Sequence, residues 1–359
     1  MQSILVTGGA GFIGANFVHF FRARFPQLPL VVLDALTYAG NRHNLASLMG
    51  QSGFHFVHGN ICDQALVEAL LQQHAVDTIV HFAAESHVDR SITGPEAFIE
   101  TNVVGTHALL KAARKIWQAS AGGFAGKRFH HVSTDEVYGT LGPADPAFAE
   151  TTPYAPNSPY AASKASSDHI VRAYHHTYGL PVTTSNCSNN YGPYQFPEKL
   201  LPLCILNILH GKPLPIYGDG QQIRDWLHVD DHNRGILLVL ERGKVGDTYN
   251  IGGNNEWANI NTVKLLCSIV DAEFKADPVL AERFAQSPAA QGKASASLIT
   301  FVTDRPGHDT RYAINAGKIT RALGYQPQAS FDEGLRSTVR WYLQNEPWWQ
   351  QILDKSYLA

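Results

Sequence analysis

The heptapeptide Gly8-Gly9-Ala10-Gly11-Phe12-Ile13-Gly14 closes a β-rich run, Ser3 to Thr7, and opens a stretch with helical periodicity. Few sequence features restrict a fold more. Glycines at this spacing allow a tight strand-to-helix turn and a close approach of backbone to a pyrophosphate, whose charge is met by the free N–H groups and dipole of the following helix. The chain therefore starts as the first βα unit of a dinucleotide-binding sheet. Gly8, Gly11, Phe12, Ile13 and Gly14 are the cofactor contacts this turn predicts.

Alternation continues through the first half. Strands are expected at Ser3–Thr7, Leu30–Asp34, His55–Gly59, Thr78–Phe82, Phe129–Ser133 and Val182–Asn186, with helices at Ile13–Phe25, Gln64–His74, Ile99–Gln118 and Ala161–Tyr178. That order predicts an α/β fold, a doubly wound parallel sheet of Rossmann type. After Asn186 the chain turns irregular and rich in Pro, Gly and aromatics, as in Tyr191 to Pro197 and Lys212 to Gly220. Long loops of this kind carry substrate contacts. Thr248–Ile251 reads as a return strand, and Asn261–Asp271 and Asp332–Asn345 as helices of a smaller, interwoven α/β C-terminal substrate lobe. The expected division is 1–190 for the dinucleotide domain, with a return segment near 229–254, and 191–359 mainly for the lobe. Gln286–Ser297, made largely of Ala, Ser, Gly and Gln, is the expected mobile surface loop.

Charge and cysteine usage exclude several function classes. A formal net charge of -3, with no long basic run, leaves no electrostatic footprint for nucleic acid or an anionic membrane. No apolar run reaches membrane-spanning length, and the N-terminus enters a strand at once with no signal core. Cys62, Cys187, Cys204 and Cys267 are scattered without Cys-x-x-Cys spacing, as in reduced cytosolic proteins. His228 and His232 stand four apart, but without a third ligand or a His-Glu-x-x-His motif they predict no metal site. The expected setting is the cytoplasm.

Asp34 ends the second expected strand twenty residues past Gly14, where a carboxylate accepts hydrogen bonds from an adenine ribose and repels a 2′-phosphate. NAD is thus predicted over NADP. By the rule that ligands bind beyond the carboxyl ends of parallel strands, Asn60 and Ile61 should lie near the adenine, and Phe82, Ala83 and Ala84 against the cofactor.

The reactive groups follow. Tyr160 and Lys164 lie one helical turn apart and face the same way. A phenol with a reference pKa of about 10 is a poor base, and lowering it by about three units takes roughly 4 kcal/mol, which the ammonium and an oxidised nicotinamide could supply. Just upstream, Ser133-Thr134-Asp135-Glu136 offers a hydroxyl and two adjacent carboxyls, more acid-base equipment than a single alcohol oxidation needs. Two carboxyls side by side raise each other's pKa, so one can stay an acid while the other is a base. Both can serve one ligand only if the strand ends near Thr134, because alternation would otherwise send them to opposite faces. A solvated acidic turn is the other reading of the pair.

These residues, with His81-Phe-Ala-Ala-Glu-Ser-His-Val-Asp-Arg90, Thr101 to Thr106, Asn186 to Pro193, Arg224 to Asp231 and Asp304-Arg-Pro-Gly-His308, make the chain resemble the dTDP-glucose 4,6-dehydratase family of the extended short-chain dehydrogenase/reductase superfamily. The likeness runs almost end to end. It implies that Tyr160 takes the glucosyl 4-hydroxyl proton while the C4 hydride passes to NAD, with Lys164 on the nicotinamide ribose. It further implies that Glu136 removes the C5 proton, that Asp135 protonates the departing C6 hydroxyl, and that Thr134 bonds the C4 oxygen. Thr101 and Asn190 join the cofactor contacts by the same resemblance. The implied substrate contacts are Ser86, Thr134, Asn189, Lys199, Leu200, Pro215, Ile216, Tyr217, Arg224, Asn259, Arg305 and His308. A guanidinium fork suits phosphate oxygens, although either arginine could equally be an ordinary surface ion pair. Asn60, where the family commonly has Asp, and Gln195, often His, depart from the pattern. The resemblance also implies a homodimer paired through Ile99–Gln118 and Ala161–Tyr178. A nucleotide-sugar 4-epimerase, a dehydratase of another nucleotide sugar, or a non-catalytic NAD-sensing protein on the same fold are the competing readings.

Overall fold

The computed structural model describes residues 1–358. Its first half alternates β1 (Ile4–Thr7), α1 (Phe12–Arg24), β2 (Leu30–Asp34), β3 (Phe54–His58), α2 (Gln64–Gln73), β4 (Thr78–His81), α3 (Val88–Thr93), α4 (Glu96–Phe98), α5 (Thr106–Ala119), β5 (Arg128–Thr134), α6 (Pro159–Tyr178) and β6 (Val182–Cys187). The second half holds β7 (Asn189–Tyr191), α7 (Leu200–Leu209), β8 (Leu214–Tyr217), β9 (Ile223–His228), α8 (Val229–Arg242), β10 (Thr248–Ile251), β11 (Glu256–Ala258) and α9 (Asn259–Ala276). It ends with α10 (Val279–Arg283), β12 (Ile299–Val302), α11 (Gly317–Leu323), α12 (Phe331–Gln344) and α13 (Glu346–Leu353).

Seven strands form one parallel sheet in the order β10-β6-β5-β4-β1-β2-β3. Every residue of β1 and β2 is buried, because helices cover both faces; hence their unbroken apolar runs. The order reverses at β1, with β4 on one side and β2 on the other, and a crevice opens there beyond the strand ends. Smaller sheets, β11-β9-β7 and β12-β8, lie in the later part. There α7, α9, α12 and α13 enclose a separate apolar cluster around Leu201, Ile205, Leu266, Tyr342 and Trp349. Trp348 ties that cluster back to the first half, its indole N–H donating to Asn44 Oδ1 at 2.7 Å.

Two sequence expectations change. The helix expected over Ile99–Gln118 is not uniform: Ile99–Gly105 is a wider π turn before α5 begins. Such turns admit an inward polar side chain. Here Asn102 is fully enclosed, accepting from the Glu85 N–H at 2.9 Å and donating to Ser163 Oγ at 2.8 Å. Second, Gln286–Ser297 is anchored. Ser287 and Ser295 are buried, and the Ser295 hydroxyl, at the start of the second of two short 3₁₀ turns, donates to Asp271 at 2.5 Å. Composition alone missed that anchor.

Candidate active site

The glycine turn crosses the crevice floor. Gly8 has φ +70°, and a Cβ there would lie 2.6 Å from the Ala83 nitrogen; at Gly14 one would lie 2.2 Å from the Gly8 carbonyl. A Cβ on Gly11 would meet only the Gly8 oxygen, at 3.4 Å, on the side that opens into the cleft. No side chain caps α1, so its first N–H groups face that opening. A linear, doubly charged group fits this cradle.

Asp34 ends β2 and is buried. Its two oxygens accept from the Ala10 and Leu36 N–H groups, each at 2.8 Å, which fixes the carboxylate while leaving lone pairs toward the cleft. Burial raises its pKa, against those two bonds and the nearby His58. The same cleft is lined by Phe12, Ile13, Asn60, Ile61, Phe82, Ala83, Ala84, Thr101, Tyr160, Lys164 and Asn190. All the sequence-predicted cofactor residues are therefore on one wall system.

β5 stops at Thr134, and Asp135–Tyr138 turn away as one 3₁₀ turn. The Thr134 hydroxyl starts the turn by accepting from the Glu136 N–H at 3.3 Å. Alternation thus ends where both carboxyls can line the cleft with Tyr160 and Lys164. α6 carries the latter pair; Ser158 caps it, Pro159 fits its first turn, and Gly179 ends it at φ 71°.

Electrostatics separate the two carboxyls. Burial pushes Asp135 well up, and the Glu136 and Asp225 carboxylates push it further. Its Oδ2 has no protein partner. Glu136 is also raised by burial, but Arg224, Lys199 and Arg305 all pull it back. The neighbouring carboxylates thus disfavour the ionised form of Asp135, while the three cations favour that of Glu136.

Tyr160 runs against its expected direction. Burial drives the phenol well above its ordinary value and Glu136 adds to this, with a hydrogen bond to Thr134 opposing. Lys164 cannot offset that alone. Its ammonium donates to the Val132 carbonyl at 2.9 Å and is itself pushed down by burial.

The expected substrate residues divide into two groups. Ser86, Thr134, Asn189 and Lys199 line the cleft, and Lys199 Nζ donates to the Ser86 carbonyl at 3.1 Å. Leu200, Pro215, Ile216, Tyr217, Arg224, Asn259, Arg305 and His308 lie outside that lining. The Ile216 side chain is a correction: strand alternation in β8 turns it into the core, 1% exposed, so only its backbone is left for a ligand. Arg224 is buried over the Tyr312 ring and spends two donors on the carbonyls of Ile223 and Asp309. Arg305 pairs with Asp89 at 2.8 Å, and the Tyr217 hydroxyl reaches the same carboxylate at 3.3 Å. His308 is held by Asp304 at 2.6 Å. These groups border the acid pair from the second half of the chain.

A family profile for GDP-mannose 4,6 dehydratase matches residues 5–338. The dTDP-glucose 4,6-dehydratase of Xanthomonas campestris pv. campestris (strain B100) is 57% identical over 99% of this chain and 97% of its own. That of Neisseria meningitidis serogroup B is 53% identical over 99% of this chain and 98% of its own. The chain belongs to the dTDP-glucose 4,6-dehydratase family. Among solved structures, DesIV of Streptomyces venezuelae, a dTDP-glucose 4,6-dehydratase with NAD and TYD bound, superposes at a TM-score of 0.84, with 48% identity, covering 98% of this chain and 99% of that one.

Residues that sequence reasoning passed over also face the cleft of this family member. Thr37, Tyr38, Glu85, Cys187, Ser188, Phe196 and Glu198 line the cleft. Tyr38 donates to Glu198 at 2.9 Å and lies under the Arg90 guanidinium, 3.7 Å from its ring centre, so two loops and helix α3 clasp one wall. No periodicity signals such a clasp. His232, half of the supposed metal spacing, instead fixes a cleft residue: its Nδ1 lies 2.9 Å from Asn190 Oδ1, and burial pulls its pKa down to about 3. Gln195, a departure from the family pattern, donates to the Asn190 carbonyl at 3.0 Å. Asn60, the other, accepts from the Cys62 N–H at 2.8 Å.

Proposed function

We propose that the chain converts dTDP-glucose to dTDP-4-keto-6-deoxyglucose and water, and that its own residues divide the proton transfers. The carrying observation is the unequal carboxyl pair beside Tyr160 in one dinucleotide cleft. NAD, held by the glycine turn and Asp34, would accept the C4 hydride and return it to C6.

Tyr160 takes the proton of the 4-hydroxyl while Thr134 bonds the same oxygen. The resulting 4-ketone acidifies the C5 hydrogen. Glu136, whose ionised form three cations favour, removes that proton, and Asp135, whose protonated form burial favours, gives its proton to the leaving C6 hydroxyl. Water departs across C5–C6. Glu136 then reprotonates C5. Arg224 and Arg305 sit where a diphosphate would complete their pairing.

A 4-epimerase needs Tyr160 and Lys164 but has no use for a base at C5, so the acid pair favours the dehydratase. The lobe division at about residue 190, a homodimer and a cytoplasmic setting belong to the same reading; no helix of the described residues is long and apolar enough to cross a membrane.

The test is turnover in heavy water. dTDP-glucose should give the 4-keto-6-deoxy sugar with deuterium at C5 and no net reduced nicotinamide, and should be preferred over UDP-glucose. Product that keeps its original C5 hydrogen would sink the assignment of Glu136.

A further inference from the structure

Lys164 is a buried ammonium, 4% exposed, with one hydrogen bond, to the Val132 carbonyl. Among the described residues no carboxylate comes within 4.0 Å of it. A cation so placed loses its proton unless a negative charge acts on it from nearby. Burial does lower its pKa, and the leading influence in the other direction is Asp168, one helical turn further along α6. The relation is mutual, since Lys164 is the leading cation acting on Asp168.

Asp168 touches no cleft residue that the proposed reaction uses, yet it joins the elements that carry them. Its Oδ2 accepts from Ser133 Oγ at 2.8 Å, at the end of β5 immediately before Thr134, and from the Tyr154 hydroxyl at 3.0 Å. Its Oδ1 faces His131 Nε2 at 3.0 Å. Asn186 of β6 donates to the Tyr154 oxygen at 3.2 Å. The titratable groups around Asp168 are Lys164 and His169 on α6, His131 on β5 with His81 of β4 behind it, and Tyr154 with Tyr138 from the following loop. Burial holds His131 and His81 well below the ordinary imidazole range, so both are neutral.

We propose that Asp168 is the buried counter-charge that keeps the Lys164 ammonium protonated and in place, and is thereby a positioning residue for the Tyr160–Lys164 pair. The consequence for chemistry follows from Tyr160. Its phenol is raised by burial, so every positive charge near it lowers the pH at which it can act as a base. Removing the Asp168 charge would lower the pH at which Lys164 loses its proton and move Tyr160 up. The kinetic part of this inference rests on the dehydratase reading; the protonation of Lys164 does not.

Asp168→Asn isolates the charge. The amide oxygen can still accept from Ser133 and Tyr154, and its nitrogen can face His131 in the other tautomer. Nitrogen-15 NMR of the lysine side chains should show Lys164 Nζ losing its proton about one pH unit or more lower in the variant than in the wild type. The acid limb of kcat/KM should rise by about one unit, with kcat at pH 7 reduced about tenfold and KM nearly constant. Tyr154→Phe keeps the carboxylate and removes only one of the bonds that lower its pKa, so it should move the acid limb much less than Asp168→Asn does. In the wild type itself, the Lys164 signal should inflect as Asp168 titrates near pH 6; that measurement decides the matter if the Asn variant does not fold. An unmoved Lys164 titration in a folded variant, or a wild-type signal with no such inflection, overturns the proposal. Absence of dehydratase turnover in the wild type would instead strike the functional reading, with the NMR result still deciding the role of Asp168.

Discussion

Asp135 and Glu136 are chain neighbours placed in opposite fields, and that difference divides acid from base. Burial raises both, but at Asp135 the carboxylates of Glu136 and Asp225 act more strongly than Arg224, while at Glu136 the cations Arg224, Lys199 and Arg305 act more strongly than Asp309. Glu136→Gln cannot take the C5 proton, so oxidation at C4 should proceed and stall. Reduced-nicotinamide absorbance should accumulate to about one equivalent per site while turnover falls roughly 10²- to 10⁴-fold. The pH profile follows with its sign. A base works only when ionised, and the Glu136 pKa lies above its ordinary 4.5, so below the acid limb set by Tyr160 kcat/KM should fall more steeply through a second pKa above 4.5. Unaltered turnover in the variant would leave Glu136 a structural residue. The pair was legible in the sequence because its members are adjacent. The field that distinguishes them was not, since its three cations come from positions 63 or more residues downstream and act only once folded.

At the scale of elements, β1 and β2 were legible because burial on both faces leaves nearly unbroken apolar runs. α7 was not: Leu200–Leu209 is apolar nearly all round and contains Pro202, so it shows no helical periodicity. β7 and β9 are three and six residues long within a loop-like composition, and only their partners define them. The glycine turn was read as a close approach to a pyrophosphate; within the protein its Gly8 also approaches Ala83 closely, and that approach can be tested. Gly8→Ala combines φ +70° with a Cβ 2.6 Å from the Ala83 nitrogen. It should lower stability by about 2–4 kcal/mol in denaturant titration and weaken NAD binding at least tenfold by calorimetry. Gly50→Ala is the control, with a similar φ of +79° but nothing within 4 Å, and should cost only about 1 kcal/mol with NAD binding unchanged. Equal losses in both variants would show that backbone conformation, not the crowding against Ala83, sets the requirement.

Across the whole molecule, the π turn at Ile99–Gly105 has two faces with different duties. Thr101 lines the cleft and Asn102 holds Glu85 and Ser163, whereas Ile99 and Val104 point outward, 49% and 44% exposed. Ile92 of α3 and Tyr178 at the end of α6 are also open, and both α3 and the π turn pack beside α6. Apolar side chains gathered along one helix pair suit an isologous contact, in which the same face of a second copy covers them. Sequence showed apolar positions here without separating core from surface; Leu109, Ala112 and Val171 turn out to be core, and Ile99 and Val104 are the exposed ones. The proposed homodimer therefore makes a definite prediction. Sedimentation velocity should give twice the 39.4 kDa chain mass, and a double change, Ile99→Glu with Val104→Glu, should give the single chain. Because the interface and the cofactor wall share one turn, the monomer should also hold NAD at least tenfold more weakly, by the ordering it must then supply alone. A wild-type chain that sediments at 39.4 kDa would refute the dimer; a monomeric variant with NAD affinity intact would keep the dimer but uncouple its interface from the cleft.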